Sequence, residues 1–315
     1  MPDKVAPLVA LATCAQVPDL DQDTRALLRP LAEAGVDVCA RVWDDPRVDW
    51  ARYDLTVIRS CWDYHENRDL FVAWATAVDG VANPASVVAW NTDKHYLTEL
   101  AAKGIPVVPT TWLEPGRDAE LPNRGRWVLK PAVSLAGLDT SVYDAGRPDQ
   151  RAPMRIHADR LLAAGRAVML QPYQAAIERE GETSLIFIEG RLSHAVRRSS
   201  ALAGPDDGAD HRFTPKPGQR TRPVAPEAAQ VRLADRVLDL VPDSSELLYA
   251  RIDLVSDTRG TAQLMEVELT EPQLFLAHSP PATTRMARAI AARAAARHSR
   301  VAPALHCPHT AGGGG

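Results

Sequence analysis

Two strand-like segments joined by a short polar turn place the strongest constraint on this chain. Residues 247–255 form an apolar run, residues 264–272 alternate apolar with acidic side chains, and the turn between them contains Gly260. This pattern is typical of a β-hairpin. Because residues two apart in a strand point to the same face, Glu266 and Glu268 project together, and Asp253 on the partner strand can join them.

Carboxylates gathered on one sheet face repel each other unless a cation lies between them. A set of oxygen donors without His or Cys favours a hard ion, Mg2+ or Mn2+, and magnesium held by few carboxylates usually also binds nucleotide phosphates. We therefore predict that Asp253, Glu266 and Glu268 are metal ligands. The alternative is that alternating glutamates mark only the solvated face of an amphipathic strand. The neighbouring Arg251 and Glu271 favour the metal interpretation.

Length and charge limit the classes of protein to consider. A chain of 315 residues suggests two or three domains at about 150 residues each. The net charge of −4 argues against a nucleic-acid-binding surface, and no apolar run is long enough for a membrane span. Residues 5–15 could be taken for a short secretory signal, but only Lys4 precedes the apolar stretch, so we expect a first β-strand.

The cysteines are widely spaced and indicate the compartment. Cys14, Cys39, Cys61 and Cys307 form no Cys-x-x-Cys pair. We expect reduced thiols in a cytoplasmic protein.

The first 90 residues alternate strands with helices. Strands are predicted over residues 5–12, 36–43 and 53–60, and helices over 21–35 and 67–78. This order specifies a parallel sheet, and ligands bind at the carboxyl ends of such strands. The residues at the end of the third strand, which are candidates for a substrate site, are Arg59, Trp62, Asp63 and Tyr64. Arg59 suits a carboxylate substrate. Alternatively, Trp62 and Tyr64 only cap the core.

The middle of the chain carries a candidate phosphate site. A helix is predicted over residues 94–103, a strand over 105–108, and a strand over 126–131 that contains Lys130 and leads into a loop of small residues with Ser134 and Gly137. A lysine followed by such a loop offers one point charge and several backbone N–H donors.

The second half contains further strands and a polar loop. Strands are predicted over residues 167–173, 184–188 and 192–196, and helices over 225–240 and 281–298. The segment 199–219 is rich in Gly, Pro and Asp, contains Arg212, and is predicted to be a mobile loop. We expect the arginines of the last helix to form a solvated face.

The order of these segments resembles that of the ATP-grasp superfamily of carboxylate–amine ligases. The resemblance covers about residues 91–272, which follow an α/β domain of the kind that this superfamily carries. It implies an α/β fold with α+β elements, in which a parallel N-terminal domain precedes two lobes that enclose ATP. The implied boundaries are 1–90 for the substrate-side domain, 91–168 for the central lobe, 169–305 for the C-terminal lobe with the metal site, and 306–315 for a disordered tail.

The resemblance also implies roles for individual residues. Lys94 and Lys130 would contact the ATP phosphates beside Ser134 and Gly137, Gln171 and Tyr173 would stand at the adenine, Glu178 or Glu182 would bind the ribose, and Asp253, Glu266 and Glu268 would hold Mg2+ or Mn2+. Glu268 replaces the more usual Asn. The loop 134–137 has one glycine where the family often has several, which puts its backbone contacts to phosphate in question.

Three shorter stretches resemble a narrower subgroup. Residues 58–64, 180–185 and 193–196 are similar to the subgroup that includes the cycloserine-forming O-ureido-serine cyclo-ligase. This resemblance implies an ADP-forming enzyme of antibiotic biosynthesis that activates a carboxylate as an acyl phosphate, which a nitrogen of the same molecule attacks. Arg212, Arg197 or Arg198, and Arg59 would then balance the charge of the substrate and the acyl phosphate.

Several alternatives stay open from the sequence. His194 either handles a proton or is a strand histidine bonded to a neighbour. The rival functions are an intermolecular amide or peptide ligase and a nucleotide-binding regulatory protein without turnover. The expected partner is a small amino-acid-like substrate, with no nucleic acid and no membrane, and a homo-oligomer is not excluded.

Overall fold

The N-terminal part of the molecule is a parallel sheet. The computed structural model describes residues 6–118, 120–199 and 219–301. The strands of the first sheet are β1 (Leu8–Thr13), β2 (Asp37–Val42), β3 (Leu55–Ser60) and β4 (Val81–Ala82). Their order is β2-β1-β3-β4 and every pair is parallel, as the alternation of strands and helices predicts.

The helices of this part follow the prediction with one difference. The helix predicted over residues 21–35 is divided into α1 (Gln22–Arg25) and α2 (Leu28–Glu33). Pro30 lacks the N–H that a continuous helix would donate to the carbonyl of Ala26, so the helix is interrupted before it. The next helix, α3 (Arg68–Ala77), lies within the predicted range.

A second sheet forms the central lobe. Its strands are β5 (Thr111–Leu113), β6 (Arg126–Pro131), β7 (Ser141–Asp144) and β8 (Val168–Pro172), in the antiparallel order β5-β8-β6-β7. The helices that precede and cover it are α4 (Ala85–Asn91), α5 (Tyr96–Ala102) and α6 (Pro148–Ala163). The strand predicted over residues 105–108 is reduced to a single bridge between Val107 and Leu264.

A third sheet follows the short helix α7 (Ala176–Glu180) and contains the predicted hairpin. Its strands are β9 (Glu182–Ile188), β10 (Arg191–Arg198), β11 (Thr221–Val224), β12 (Tyr249–Ser256) and β13 (Ala262–Glu268), in the antiparallel order β11-β10-β9-β12-β13. The hairpin of β12 and β13 is confirmed, and its register places Asp253 opposite Glu266 and Arg251 opposite Glu268.

The third sheet has two chemically different faces. On one face Leu185, Ile252 and Val267 share a core with the helix α8 (Ala228–Leu238) and with α5. The other face bears Glu182, Arg198, Arg251, Asp253, Glu266 and Glu268, and we call it the carboxylate face. Alternation along the strands therefore places these charged side chains together on one face.

The last helix docks on the first sheet. The helix α9 (Pro280–Val301) buries Met286, Ile290 and Ala294 in a core that also holds residues of β1 and β3. The expectation that its arginines only form a solvated face is wrong for two of them. Arg293 donates hydrogen bonds to the carbonyls of Glu246 and Leu247, and Arg297 donates one of 2.7 Å to the carbonyl of Asp54.

Several sequence predictions concern other parts of the chain. Cys14, Cys39 and Cys61 are free thiols, as expected. Within the part of the chain that the structure describes, none of the helices has the length and apolar character needed to cross a membrane. Arg212, Cys307, the tail 306–315 and nearly all of the loop 199–219 lie outside the described residues.

Candidate nucleotide and metal site

Glu266 on β13 joins the central lobe to the carboxylate face. Lys94 Nζ lies 3.2 Å from Glu266 Oε1, and Lys130 Nζ, from β6, lies 3.8 Å from Glu266 Oε2. Lys94 is 5 % exposed and also donates a hydrogen bond to the carbonyl of Ser134. The structure thus brings together both predicted phosphate lysines, the predicted phosphate loop and one predicted metal ligand.

Arg251 occupies the space between the other two predicted metal ligands. Its Nη2 lies 2.9 Å from Asp253 Oδ2, its Nε lies 3.0 Å from Asp253 Oδ1, and it also forms an ion pair with Glu268. Arg251 was not among the predicted site residues. Its position two residues before Asp253 is the signal that places both side chains on one face.

Arg198 and Arg197 point to opposite faces of the third sheet. Arg198 lies 2.8 Å from Asp253 Oδ2 and forms an ion pair with Glu182, whereas Arg197 donates a bond of 3.3 Å to Thr183 Oγ1 on the face that packs against α8. The Nε of Arg197 is buried and, within the described part of the chain, has no hydrogen-bond partner. Of the two adjacent arginines, only Arg198 stands with the carboxylates.

Burial and like charges shift the pKa values on the carboxylate face in different directions. Burial raises the pKa of Glu268 to about 7 in spite of the nearby guanidinium of Arg251. Burial, with the charge of Glu268, raises the pKa of Glu271 to about 8. Burial acts in the same direction at Asp253 and Glu266, but the neighbouring cations together outweigh it and the pKa is lowered. These cations are Arg251 and Arg198 at Asp253, and Lys94 and Lys130 at Glu266.

The raised pKa values of Glu268 and Glu271 indicate that positive charge is short around these two carboxyl groups. A carboxyl group whose pKa rises above its ordinary value holds its proton because its ionised form is not fully neutralised. A divalent cation would supply the missing charge, and the donors present are the oxygens that Mg2+ prefers. The chemistry of the donor set therefore fits the predicted metal.

The acidic side chains of the predicted metal site nevertheless contact lysine and arginine side chains and do not surround a common centre. Among residues 6–118, 120–199 and 219–301 no group of three or more His, Cys, Asp or Glu side chains is placed to hold a metal ion. The reason is visible in the contacts, because Arg251 lies between Asp253 and Glu268 while Lys94 and Lys130 surround Glu266.

The predicted adenine-side residues lie at the end of β8. Gln171 is buried and donates a bond of 3.1 Å to Thr110 Oγ1. The Tyr173 ring lies 3.9 Å below the guanidinium of Arg126, which also pairs with Glu178 at 2.8 Å. Glu178 is thus tied to the surface of the central lobe.

The two predicted ribose ligands differ in their surroundings. The hydrogen bond from Arg126 lowers the pKa of the exposed Glu178. Burial raises the pKa of Glu182 in spite of Arg198, and Glu182 lies on the carboxylate face. The structure therefore brings Glu182, but not Glu178, into the cluster of charged groups.

The small-residue loop is held at both ends. Ser134 Oγ donates to the carbonyl of Pro131, and Asp139 accepts bonds of 2.7 Å from Arg160 and 2.6 Å from Arg166. Gly137 has a φ of 73°, which favours glycine. The single glycine of this loop thus stands where the backbone requires one.

Three of the substrate-site candidates of the first sheet, Trp62, Asp63 and Tyr64, are buried. Trp62 and Tyr64 are 7 % and 3 % exposed and belong to an aromatic core, in which Tyr64 stacks on Phe71. Asp63 accepts a bond of 2.7 Å from Trp43 Nε1. These placements agree with the alternative that the aromatic residues cap the core.

Arg59 reaches from the first sheet toward the carboxylate face. It is 2 % exposed, its Nε donates to Thr24 Oγ1 at 3.3 Å, and its Nη2 donates to the carbonyl of Pro272 at 3.1 Å. Its Nη1 is buried and has no hydrogen-bond partner among the residues that the structure describes. A buried donor of this kind is costly unless something accepts from it, so Arg59 retains one nitrogen suited to an anionic group.

His194 on β10 is bonded to a neighbour. Its Nε2 lies 2.9 Å from the carbonyl of Leu274, and because a carbonyl only accepts, this nitrogen carries the proton. Burial lowers the pKa of His194. The structure therefore supports the second interpretation, in which His194 is a strand histidine bonded to a neighbour.

Comparisons with solved structures define the class of protein. The D-alanine–D-alanine ligase from Bacillus anthracis complexed with ATP is 13 % identical, covers 94 % of this chain and 100 % of its own, and superposes with a TM-score of 0.67. An ATP-grasp RimK domain protein from Sphaerobacter thermophilus is 18 % identical, with 91 % and 99 % coverage and a TM-score of 0.61. The fold is that of the ATP-grasp ligases, as predicted.

Closer relatives identify the family. A family described as the N-terminal domain of D-cycloserine synthetase DcsG matches residues 9–85. The cycloserine biosynthesis protein DcsG of Streptomyces lavendulae is 34 % identical over 303 residues, which are 91 % of this chain and 98 % of that protein. The crystal structure of D-cycloserine synthetase DcsG is 31 % identical, with 91 % and 99 % coverage and a TM-score of 0.79. The chain belongs to the DcsG family of ATP-grasp ligases, and it is an ATP-dependent enzyme that forms C–N bonds.

Proposed function

We propose that this protein is an ADP-forming cyclo-ligase that converts O-ureido-D-serine to D-cycloserine. The main support for the proposal is that Lys94 and Lys130 both lie close to Glu266. Glu266 stands opposite Asp253 of β12 in the register of the hairpin. This arrangement supplies phosphate-binding cations next to metal-type donors. The similarity to DcsG over nearly the whole of both chains points to the substrate.

ATP binds between the central lobe and the carboxylate face. Lys94, Lys130 and the loop with Ser134 and Gly137 bind the phosphates, since two buried ammonium groups and backbone N–H donors complement their charge. Gln171 and Tyr173 line the adenine end. Glu182 is the better candidate for the ribose hydroxyls, because Glu178 is engaged by Arg126 at the surface.

Asp253, Glu266 and Glu268 would hold Mg2+ or Mn2+. Such an ion, when bound with ATP, supplies positive charge at the phosphates and lowers the barrier to phosphoryl transfer. The chain's own contribution is to keep Asp253 and Glu266 ionised and to hold all three carboxyl groups in place. Arg251 and the two lysines do so before the nucleotide arrives.

The substrate carboxylate lies between the first sheet and the carboxylate face. Arg59 offers it the unpartnered Nη1, and Arg198 and Arg251 balance the charge of the acyl phosphate. Arg198 takes the role for which the sequence offered Arg197 or Arg198, because Arg197 faces α8. Arg212 stays a candidate for the same charge from outside the described residues.

The reaction proceeds in three steps, which are phosphoryl transfer, ring closure and removal of the carbamoyl group. A carboxylate oxygen of the substrate takes the γ-phosphoryl group of ATP, and ADP leaves. The oxygen-bound nitrogen of the ureido group attacks the acyl carbon, forms the C–N bond of the ring and expels phosphate. Water then hydrolyses the carbamoyl group, which leaves as carbamate and decomposes to CO2 and ammonia, and the ring nitrogen of the product takes a proton. Holding both groups of one molecule together supplies the rate advantage of an intramolecular reaction.

The proposal also includes the domain boundaries and the cellular compartment. Residues 1–90 form the substrate-side domain, residues 91–168 the central lobe, and residues 169–305 the C-terminal lobe, whose last helix returns to the first sheet. The free thiols and the requirement for ATP agree with a cytoplasmic enzyme acting on a small amino-acid-like substrate.

Transfer of oxygen tests the acyl phosphate directly. With substrate labelled by 18O in its carboxylate, one label should appear in the released phosphate for each ring formed. Product without label in the phosphate would contradict an acyl phosphate. ADP release that requires a second amine, with the two molecules joined in the product, would indicate an intermolecular ligase instead.

A further inference from the structure

A short segment after β13 connects the two halves of the proposed active site. Residues 271–276, which we call the strap, leave the carboxylate face and run along the first sheet. From the first sheet, Trp62 Nε1 donates to the carbonyl of Glu271 at 3.3 Å, and Arg59 Nη2 donates to that of Pro272. The strap is therefore attached to the N-terminal domain by its carbonyl groups.

Asp23 of α1 attaches the strap by its amide groups. Its Oδ2 accepts from the N–H of Leu274 at 2.8 Å, and its Oδ1 accepts from the N–H of Leu276 at 2.6 Å. Both bonds have an ionisable acceptor, and the side chain is 11 % exposed. Hydrogen bonds of this kind are among the strong ones in proteins.

The two bonds from Asp23 flank a residue in an unusual conformation. Phe275 has a φ of 52°, in the left-handed region that a residue with a bulky side chain rarely adopts. Such a conformation persists only where the surroundings enforce it. A carboxylate bonded to the amides before and after Phe275 is suited to enforce it.

The opposite side of the strap contacts the arginines and the histidine of the third sheet. Arg251 Nη1 donates to the carbonyl of Gln273 at 3.1 Å, and His194 Nε2 donates to that of Leu274. The ring of Phe275 lies 5.5 Å from the guanidinium carbons of both Arg198 and Arg251. The position of the strap thus constrains two cations on the carboxylate face.

We infer that Asp23 is a positioning residue that fixes Arg198 and Arg251 on the carboxylate face by holding Phe275 and the strap. The inference rests on the proposed function in one respect, that these two arginines balance the charge of the reacting groups. Asp23 touches neither arginine of this pair, although it lies 3.8 Å from Arg59 on the first sheet. It acts through the backbone of the strap.

Asp23→Asn tests this link, with Asp21→Asn as the matched control. Asp21 lies two residues away, but it accepts from Thr24, Ser60 and the amide of Asp23, and has no bond to the strap. The substituted side chain would turn an NH2 donor toward one of the two N–H groups that the carboxylate now accepts from. Hydrogen exchange in peptides covering residues 271–278 should become at least about tenfold faster in Asp23→Asn and stay unchanged in Asp21→Asn.

Kinetics supply the second readout. In Asp23→Asn the kcat should fall by about 10- to 100-fold, because displaced arginines no longer match the transition state. The KM for ATP should change by less than about twofold, because the lysines and Gln171 are untouched. Equal loss in both variants, or unchanged exchange in residues 271–278, would overturn the positioning role and leave Asp23 only as a partner of Arg59.

A variant on the strap keeps the test decisive if Asp23→Asn does not fold. Phe275→Ala preserves the amides that Asp23 binds but removes the ring from Arg198 and Arg251. Its kcat should fall by about tenfold with unchanged exchange in β1 and β3, and full activity would refute the link. If no turnover is found with O-ureido-D-serine, the proposed substrate fails, whereas the exchange of the strap still decides the role of Asp23.

Discussion

Lys94 Nζ lies 3.2 Å from Glu266 Oε1, and this ion pair joins the two lobes at the proposed phosphate site. Lys94 also donates to the carbonyl of Ser134, so one ammonium group fixes the phosphate loop relative to β13. When ATP and a metal ion bind, Lys94 would contact the phosphates and Glu266 would contact the metal. The ion pair thus holds both groups ready before the nucleotide binds.

Replacement of Glu266 by Gln should lower turnover by at least about 100-fold, because the amide neither neutralises Lys94 nor binds a hard cation strongly. ADP release measured over a range of Mg2+ concentrations checks this. Glu246→Gln, at an exposed position, is the control and should be unaffected. Near-normal activity of Glu266→Gln would rule out the proposed metal site.

Replacement of Lys130 by Ala should weaken ATP binding by at least about tenfold, since the variant loses a buried cation at the phosphates. Titration calorimetry with a non-hydrolysable ATP analogue measures this without turnover. Lys103→Ala, on the exposed end of α5, should bind normally. An unchanged affinity in Lys130→Ala would remove Lys130 from the site.

The adjacent arginines of β10 offer a comparison within one strand. Arg198→Ala should lower kcat by about 10- to 100-fold, because Arg198 contacts Asp253 and Glu182. Arg197→Ala should keep both kcat and KM, since Arg197 lies on the opposite face with Thr183. Steady-state kinetics of both variants distinguish the faces, and the reverse order of effects would contradict the observed register.

The stability of the ligand-free protein should fall as the pH rises from about 5 to 8. Glu268 and Glu271 have pKa values of about 7 and 8 in the folded protein, above the ordinary 4.5, so the folded state binds protons that the unfolded state has released. Their stabilising contribution is complete below pH 4.5 and is lost as the pH passes through the folded values. Each kcal/mol lost lowers Tm by about 2–4 °C.

Thermal unfolding between about pH 5 and 8 measures this dependence. Glu268→Gln should show a smaller decrease of Tm across the range, because its side chain no longer titrates, whereas Glu246→Gln should follow the original protein. The prediction would be contradicted if the Tm of the original protein rose steadily over the same pH range and Glu268→Gln behaved in the same way.

Alternation along single strands was enough to predict the most informative part of the fold. Glu266, Glu268 and Asp253 share a face because side chains in paired strands point the same way when their residues are opposite. The parallel first sheet followed equally from the order of strands and helices. Both features depend on local patterns that tertiary packing leaves unchanged.

Features set by the register and by distant packing could not be read from the sequence. Arg197 and Arg198 differ by one position, and an irregularity between Leu192 and His194 alters the pairing of β10 with β9, so the face of each arginine needs the structure. Likewise, the contact of Asp23 with Leu274 joins residues 251 positions apart. The docking of α9 on the first sheet has the same long-range character.

The most direct measurement is ADP release from Mg2+ and ATP in the presence of O-ureido-D-serine, with the product identified by mass spectrometry. We predict ADP release that depends on this single substrate, with one D-cycloserine formed for each ADP. Absence of substrate-dependent ADP release, or ADP release only with separate acid and amine partners, would contradict the proposed cyclisation.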